Sequence, residues 1–360
     1  VKKIVLIAQG RSGFLKVAPL FSALDRNARV EPVPVLVERA GQAGVGESLT
    51  APFGTGGRLR RIPLAAGSAV GEVSALLIAF ERLFTELAPA FVVSGGDDNA
   101  AVAAAVTASR MGIPVVSLDA GLRSYDRSET EELNRLLVDS VSALQFVSEH
   151  SGIYNLINEG YPDDRVLFAG NTSIDSLVEL IGGANRSEVL ASLGLEPKKF
   201  GTVLLDLPLR TETLENRDLL CRVLESIAAT TTLLLPCDGL PGGAVLEAFG
   251  SVPGIRVRSV PEPLDLLRLL KESAFVLTDT GTFESELTVM NVPCLSLRPA
   301  TFRPSTVEVG TNVMVGFDEE EILERTAAIL SGKSSGKTLI PEKWDGAAAL
   351  RIAEVLEQAG

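Results

Sequence analysis

Three short stretches carry residues whose types and spacing suit proton chemistry: Gly96-Asp97-Asp98-Asn99, then Ser117-Leu118-Asp119-Ala120-Gly121-Leu122-Arg123, then Glu131-Glu132-Leu133-Asn134-Arg135. The first two each follow an apolar run, Phe91-Val92-Val93 and Ile113-Pro114-Val115-Val116, with an alanine-rich segment from Ala100 to Met111 between them. That order predicts strand, helix, strand. In an open parallel sheet, ligands sit at the loops leaving the carboxyl ends of the strands, so Asp97 and Asp119 are expected to share one crevice. Two carboxylates in one cleft suit the taking and returning of a proton.

Two further segments suit an anion. Gln9-Gly10-Arg11-Ser12-Gly13-Phe14-Leu15-Lys16 reads as a glycine-containing turn entering a helix, where free backbone N–H groups and the cations Arg11 and Lys16 would face a phosphate. It matches neither the dinucleotide fingerprint nor a Walker loop. Thr278-Asp279-Thr280-Gly281-Thr282-Phe283-Glu284-Ser285-Glu286 repeats the arrangement, with N–H groups near Thr280, Gly281 and Thr282 for a diphosphate and Glu286 for ribose hydroxyls. Plain structural readings stand beside these: a tight turn with solvated cations, Thr280 as a helix N-cap, and Glu131, Glu132 and Arg135 as a solvated helix face. The single histidine, His150, has no nucleophile near it in sequence and is given no catalytic role. No triad and no metal cage can be built.

The elements that must position these residues alternate. Strands are predicted at 1–8, 30–37, 144–148 and 166–170, with helices at 16–27 and 71–87 and a glycine-rich loop over 39–67. A second series begins near Thr202, with strands at 231–236, 255–259, 274–278 and 294–297. Helices fill the gaps at 216–230, 242–249, 263–272 and 282–290, and the chain closes with 318–330 and 346–358. Such alternation specifies doubly wound parallel sheets, here two Rossmann-like domains facing across a cleft.

The 360 residues suffice for two domains of ordinary size, and 46% hydrophobic with 22% charged residues is a globular composition. A formal charge of −13 argues against nucleic acid and anionic membrane surfaces as partners. Cys221, Cys237 and Cys294 are too few and scattered for a disulfide framework and are read as reduced. With no signal peptide recognised before the first strand and no membrane-length apolar run, a cytoplasmic location is expected.

Together the segments resemble the non-hydrolysing UDP-N-acetylglucosamine 2-epimerases, a family with the two-domain GT-B fold. Arg11 and Lys16 with Val17-Ala18-Pro19-Leu20 resemble the family's Thr-Arg-Pro-Glu-Ala-x-Lys-x-Ala-Pro-Leu opening. Gly96-Asp97 resembles Gly-Asp-Thr, Asp119 to Arg123 resembles Glu-Ala-Gly-Leu-Arg, and Glu131 to Arg135 resembles Glu-Glu-x-Asn-Arg. Gly170-Asn171-Thr172-Ser173-Ile174-Asp175 is similar to Gly-Asn-Thr-x-x-Asp, and Thr278 to Glu286 to Thr-Asp-Ser-Gly-Gly-x-x-Glu-Glu. Arg303-Pro304 with Gly310-Thr311 is similar to Arg-Pro-Glu followed by Gly-Thr.

The resemblance implies a first domain over 1–170, completed by a helix at 346–360, and a UDP-binding domain over 171–345. It implies an isomerase that needs no cofactor or metal, interconverts UDP-GlcNAc and UDP-ManNAc or a related UDP-sugar, and forms a homodimer. Asp97, Asp119 and Glu131 fall on the family's catalytic positions. Arg11, Lys16, Arg135, Arg210, Thr280, Gly281, Thr282 and Glu286 fall on the substrate and UDP positions.

The chain departs from the pattern at several points. Leu209 of Leu209-Arg210-Thr211-Glu212 replaces a family histidine, Asp119 is one methylene shorter than the family glutamate, and Gly13 replaces another glutamate. Pro236-Cys237-Asp238-Gly239 stands for His-Pro-x-Pro, and 42–54 has no match to the family's Gln-His segment. Three functions are therefore carried forward: a divergent 2-epimerase, including a hydrolysing one or one acting on a modified UDP-sugar; a binding-only homologue; and a GT-B glycosyltransferase.

Overall fold

The computed structural model describes residues 1–40, 44–205, 214–237, 249–250, 252–260, 262–333 and 339–359. The chain divides into two compact units, Val1–Glu179 with Glu342–Gly360, and Leu180–Pro341.

In the first unit the strands are β1 (Lys2–Gln9), β2 (Val30–Arg39), β3 (Arg60–Leu64), β4 (Phe91–Ser94), β5 (Val115–Leu118), β6 (Leu144–Val147) and β7 (Val166–Phe168). They pair in parallel in the order β3-β2-β1-β4-β5-β6-β7. Ile4 to Ala8 of β1 are all buried, the continuous apolar run expected of a strand covered on both faces. The order reverses between β1 and β4, and that switch point opens a crevice at the carboxyl ends of the strands.

Helix α1 (Gly10–Leu24) leaves β1 at this point, α2 (Glu47–Thr50) and α3 (Ala69–Leu87) follow, and α4 (Asn99–Arg110) leaves β4. Ala100, Ala101, Ala103, Ala104, Ala105 and Ala108 of α4 are buried. Their small side chains let α4 pack against both α3 and α5 (Thr130–Val141).

Several local expectations shift. The segment Gly10 to Lys16 is already helix. Its N-cap, Gln9, makes no side-chain cap bond, and Gln9 Oε1 instead accepts from the Ala100 N–H at 3.1 Å. Burial of Phe14, Val17, Leu20 and Phe21 holds the helix where local capping does not. The 39–67 segment contains α2 and β3; Pro63 and two arginines disguise β3, which pairs only with β2 at the sheet edge.

The second unit repeats the winding with β8 (Phe200–Leu204), β9 (Thr232–Cys237), β10 (Ile255–Ser259), β11 (Phe275–Thr278), β12 (Cys294–Ser296) and β13 (Asn312–Met314). Their order is β10-β9-β8-β11-β12-β13, all parallel. Its core is built on Val203, Leu220, Leu233, Phe249, Phe275 and Leu277. The helix expected at 282–290 is shorter, Glu284–Val289, with Phe283 as N-cap, so Thr280 does not cap it. The helix expected at 242–249 lies largely outside the described residues.

The last helix, Ala348–Gln358, packs on α1 in the first unit. Asp175, on α6's successor α7 (Thr172–Ala184) beyond α6 (His150–Asn158), receives its Ala348 and Ala349 N–H groups at 3.2 and 2.7 Å. Among the described residues no helix is long and apolar enough to cross a membrane.

Candidate functional site

At the switch point of the first unit, Lys16, Asp97, Ser117, Asp119, Arg135 and Asp139 line one small pocket. Lys16 arrives from α1, Asp97 from the loop after β4, Asp119 from the loop after β5, and Arg135 and Asp139 from α5. Arg135 Nη1 donates to Asp97 Oδ2 at 2.7 Å, and Lys16 Nζ lies 3.4 Å from Asp119 Oδ2. Asn134 fixes the same loop by donating to the Asp97 carbonyl at 2.8 Å. The two acids brought together are the two that the strand–helix–strand pattern placed in one crevice.

Helix α5 is inverted relative to an ordinary amphipathic helix. It buries Glu132, Asn134, Arg135, Val138 and Asp139, while Leu133 and Leu137 are exposed. Glu132 Oε2 accepts from Arg135 Nη2 at 2.9 Å and Nε at 3.2 Å, and both carboxylate oxygens accept backbone N–H groups, of Ser124 at 2.9 Å and Tyr125 at 3.1 Å. Arg135 is thereby held between two carboxylates, with Nε and Nη2 on Glu132 and Nη1 left for Asp97. Glu131 precedes this pair with its side chain exposed. It shares a stripe with Arg135 and Val138, four and seven residues on, both of which line the pocket. Glu131 itself is not a lining residue.

Charge compensation sets the protonation states. Burial pushes Asp97 upward, but the nearby Lys16 and Arg135 outweigh it and hold the carboxyl below the usual aspartate range. Burial likewise opposes ionisation of Glu132, and the Ser124 N–H with Arg135 prevails, holding it low. Asp98 goes the other way: burial, reinforced by the neighbouring Asp97 charge, pushes it up to about 6 although it accepts the Ala101 N–H as the N-cap of α4.

Asp139, Glu132 and Asp98 were not among the expected site residues. The signal for Glu132 and Asp139 was the spacing Glu132, Arg135, Asp139, a helical stripe made of charges where apolar residues ordinarily stand.

Arg11 stands in the first turn of α1, is not among the pocket-lining residues, and donates from Nε to the Gly44 carbonyl at 3.1 Å. In the second unit, Thr280, Gly281 and Thr282 form the turn after β11, with the Thr280 N–H bonded to Thr278 Oγ1 at 3.0 Å. Gly281 lies against the Phe302 ring, where a Cβ would come within 2.7 Å. The guanidinium carbons of Arg298 and Arg303 lie 5.4 and 5.6 Å from the centre of that ring. Glu284 is buried and receives Thr301 Oγ1 at 2.7 Å, while Glu286 is only partly buried. Leu209, Arg210, Thr211 and Glu212 lie outside the described residues, as do Asp238 and Gly239. Among the described residues no group of three histidine, cysteine, aspartate or glutamate side chains is placed to hold a metal ion.

Comparison with known proteins adds to this geometry. The sequence model of a family described as UDP-N-acetylglucosamine 2-epimerase matches residues 64–357. A UDP-N-acetylglucosamine 2-epimerase of Methanococcus maripaludis is 30% identical over 271 residues, 72% of this chain and 74% of the relative. A UDP-2,3-diacetamido-2,3-dideoxy-D-glucuronate 2-epimerase of Pseudomonas aeruginosa is 27% identical over 98% of this chain and 99% of its own. Among solved structures, the Methanocaldococcus jannaschii UDP-GlcNAc 2-epimerase in complex with UDP-GlcNAc and UDP superposes with a TM-score of 0.86 at 25% identity, covering 99% of this chain and 100% of that one. The chain belongs to the UDP-N-acetylglucosamine 2-epimerase family.

Proposed function

We propose that this protein interconverts UDP-GlcNAc and UDP-ManNAc by eliminating UDP and adding it back. The observation that carries the reading is the pairing of Asp97 with Arg135 and of Asp119 with Lys16 in a single pocket. In the forward direction a carboxylate takes the proton from sugar C2 as the C1–O bond to UDP breaks, leaving a glycal and UDP. UDP then re-forms the C1–O bond while a proton is returned to the opposite face of C2. Two acid–base groups on different elements meet that need, and Asp97, held ionised by its cations, suits the role of base. Asp119 is assigned the opposite face, and Glu131, one turn along the helix from Arg135, a place at the pocket mouth.

Arg11, Lys16 and Arg135 are assigned to the diphosphate and its developing charge, where preorganised cations stabilise a leaving group most. The Thr280–Thr282 turn is assigned to UDP and Glu286 to the ribose hydroxyls; Arg210 keeps its assignment from the resemblance alone. The cytoplasmic setting is part of the proposal and rests on the sequence, whose three cysteines are read as reduced. A homodimer is part of the proposal and rests on the family resemblance.

A second reading is a modified UDP-sugar, favoured by the near full-length match to the diacetamido-glucuronate enzyme of Pseudomonas. Proton NMR of UDP-GlcNAc incubated with the protein separates these. The manno epimer is the expected product. Free sugar plus UDP would mean hydrolysis, and no turnover of UDP-GlcNAc alongside turnover of a diacetamido sugar would select the second reading. UDP binding with no turnover of either would leave a binding protein.

A further inference from the structure

Asp119 sits in the left-handed backbone region, with φ +56°. Side chains other than glycine occupy that region mainly where the surroundings over-determine it, and such positions gather at functional sites. Asp139 supplies the constraint. Its carboxylate accepts Ser117 Oγ on Oδ1 at 2.9 Å and the Gly121 N–H on Oδ2 at 2.9 Å. Ser117 and Gly121 stand two residues before and two residues after Asp119, so one buried acceptor closes the loop from both sides.

The acceptor is itself fixed. Arg123 Nη1 lies 2.8 Å from Asp139 Oδ2, and Arg123 Nε and Nη2 donate to Glu159 at 2.8 Å each. Burial would disfavour the guanidinium charge, but Glu159 and Asp139 outweigh it and raise the Arg123 pKa further. On the far side, Gly121 leaves no space to shift: a Cβ there would come within 2.3 Å of the Gly152 carbonyl oxygen.

Resting on the 2-epimerase reading, we propose that Asp139 is a positioning residue of the reaction, holding the backbone at Asp119 so that its short carboxylate is presented beside Lys16 to the reacting sugar carbon. Proton transfer needs heavy atoms roughly 2.6–3.2 Å apart, and a displacement near 1 Å can cost about a hundredfold in rate. An aspartate has one torsion fewer than a glutamate with which to correct a misplaced backbone. Accuracy that a longer side chain could recover must here come from the loop.

The test uses the full chain carrying D139N, S117A, and S117A with D119E, assayed for kcat, KM, UDP affinity and crystal structure. D139N is expected to lower kcat about a hundredfold and S117A about tenfold, with UDP affinity within twofold of wild type and Asp119 displaced from φ +56°. D119E, whose extra methylene restores reach, is expected to recover part of the activity of S117A. S117A leaves the Arg123 pair intact and serves where D139N fails to fold. Wild-type kcat in S117A, or parallel loss of kcat and UDP affinity, would overturn the proposal and leave Asp139 a structural ion-pair partner. Should the wild type turn over no UDP-sugar, the epimerase reading fails by itself. The S117A crystal structure would then decide the positioning question, an unmoved Asp119 counting against it.

Discussion

The pocket of the first unit and the Thr278–Arg303 region of the second grow from the same topology and carry opposite chemistry. Both follow a strand at the point where a parallel sheet reverses its order. In the first, cations meet carboxylates at 2.7 to 3.4 Å, so each charge is compensated within the site. In the second, a hydroxyl-and-glycine turn lies against an aromatic ring flanked by two arginines. Compensated charge suits a place where a proton moves, because a base stays ionised without a large solvation cost. A turn of hydroxyls and glycine beside arginines suits a place where an anion is held. Turnover and UDP affinity should therefore separate when the two regions are altered.

The largest expected effect is D97N, which should lower kcat about a thousandfold while leaving UDP affinity within twofold, measured by steady-state assay and calorimetry. Equal loss of both would break the distinction. Next comes glycine replacement. G121A should destabilise the fold by roughly 3 kcal/mol in urea unfolding, since Gly121 has φ +75° and faces a fixed backbone carbonyl. G281A meets the Phe302 ring and, at 3.3 Å, Arg298 Nη1, both side-chain ends that can turn aside, so it should cost about 1 kcal/mol of stability and weaken UDP binding more than it lowers kcat.

A smaller effect is expected for T280A: about a fivefold rise in KM with kcat nearly unchanged, the signature of lost uniform binding. The smallest concerns pH. Burial raises Asp98 and Asp175 to about 6 in the folded protein, so between about pH 6 and 4 the folded state holds protons that the unfolded chain has released. Their contribution to stability grows as pH falls through that window. Asp97, Glu132 and Glu72 are held low, and theirs is present above about pH 4 and lost below it. The unfolding free energy from urea titration should thus be higher at pH 5 than at pH 7, by about 1 kcal/mol, and D175N should remove part of that gain.

The strands and the meeting of Asp97 with Asp119 were legible because both rest on local signals: apolar runs such as Phe91-Val92-Val93, and the rule that loops at one end of a parallel sheet converge. Helix α1 was misplaced because Gly10 and Gly13 read as turn residues, whereas the helix owes its start to burial of its apolar face. β3 escaped notice because Pro63 and two arginines are tolerated only at a sheet edge, which no local pattern announces. The role of Asp139 was hidden for a deeper reason. Its partners Ser117, Gly121 and Arg123 come from a different element, and a charge on the inner face of α5 reads as a surface charge until the leucines beside it prove to be the exposed ones.

The most direct test of the central claim is proton NMR in deuterium oxide, comparing wild type with D97N on UDP-GlcNAc. Wild type should place deuterium at C2 and form the manno epimer, while D97N binds UDP normally and exchanges C2 at less than about a hundredth of the rate. Exchange at the wild-type rate in D97N, or none in a wild type that binds UDP and turns over neither UDP-GlcNAc nor the diacetamido sugar, would contradict the assignment of proton chemistry to this pocket.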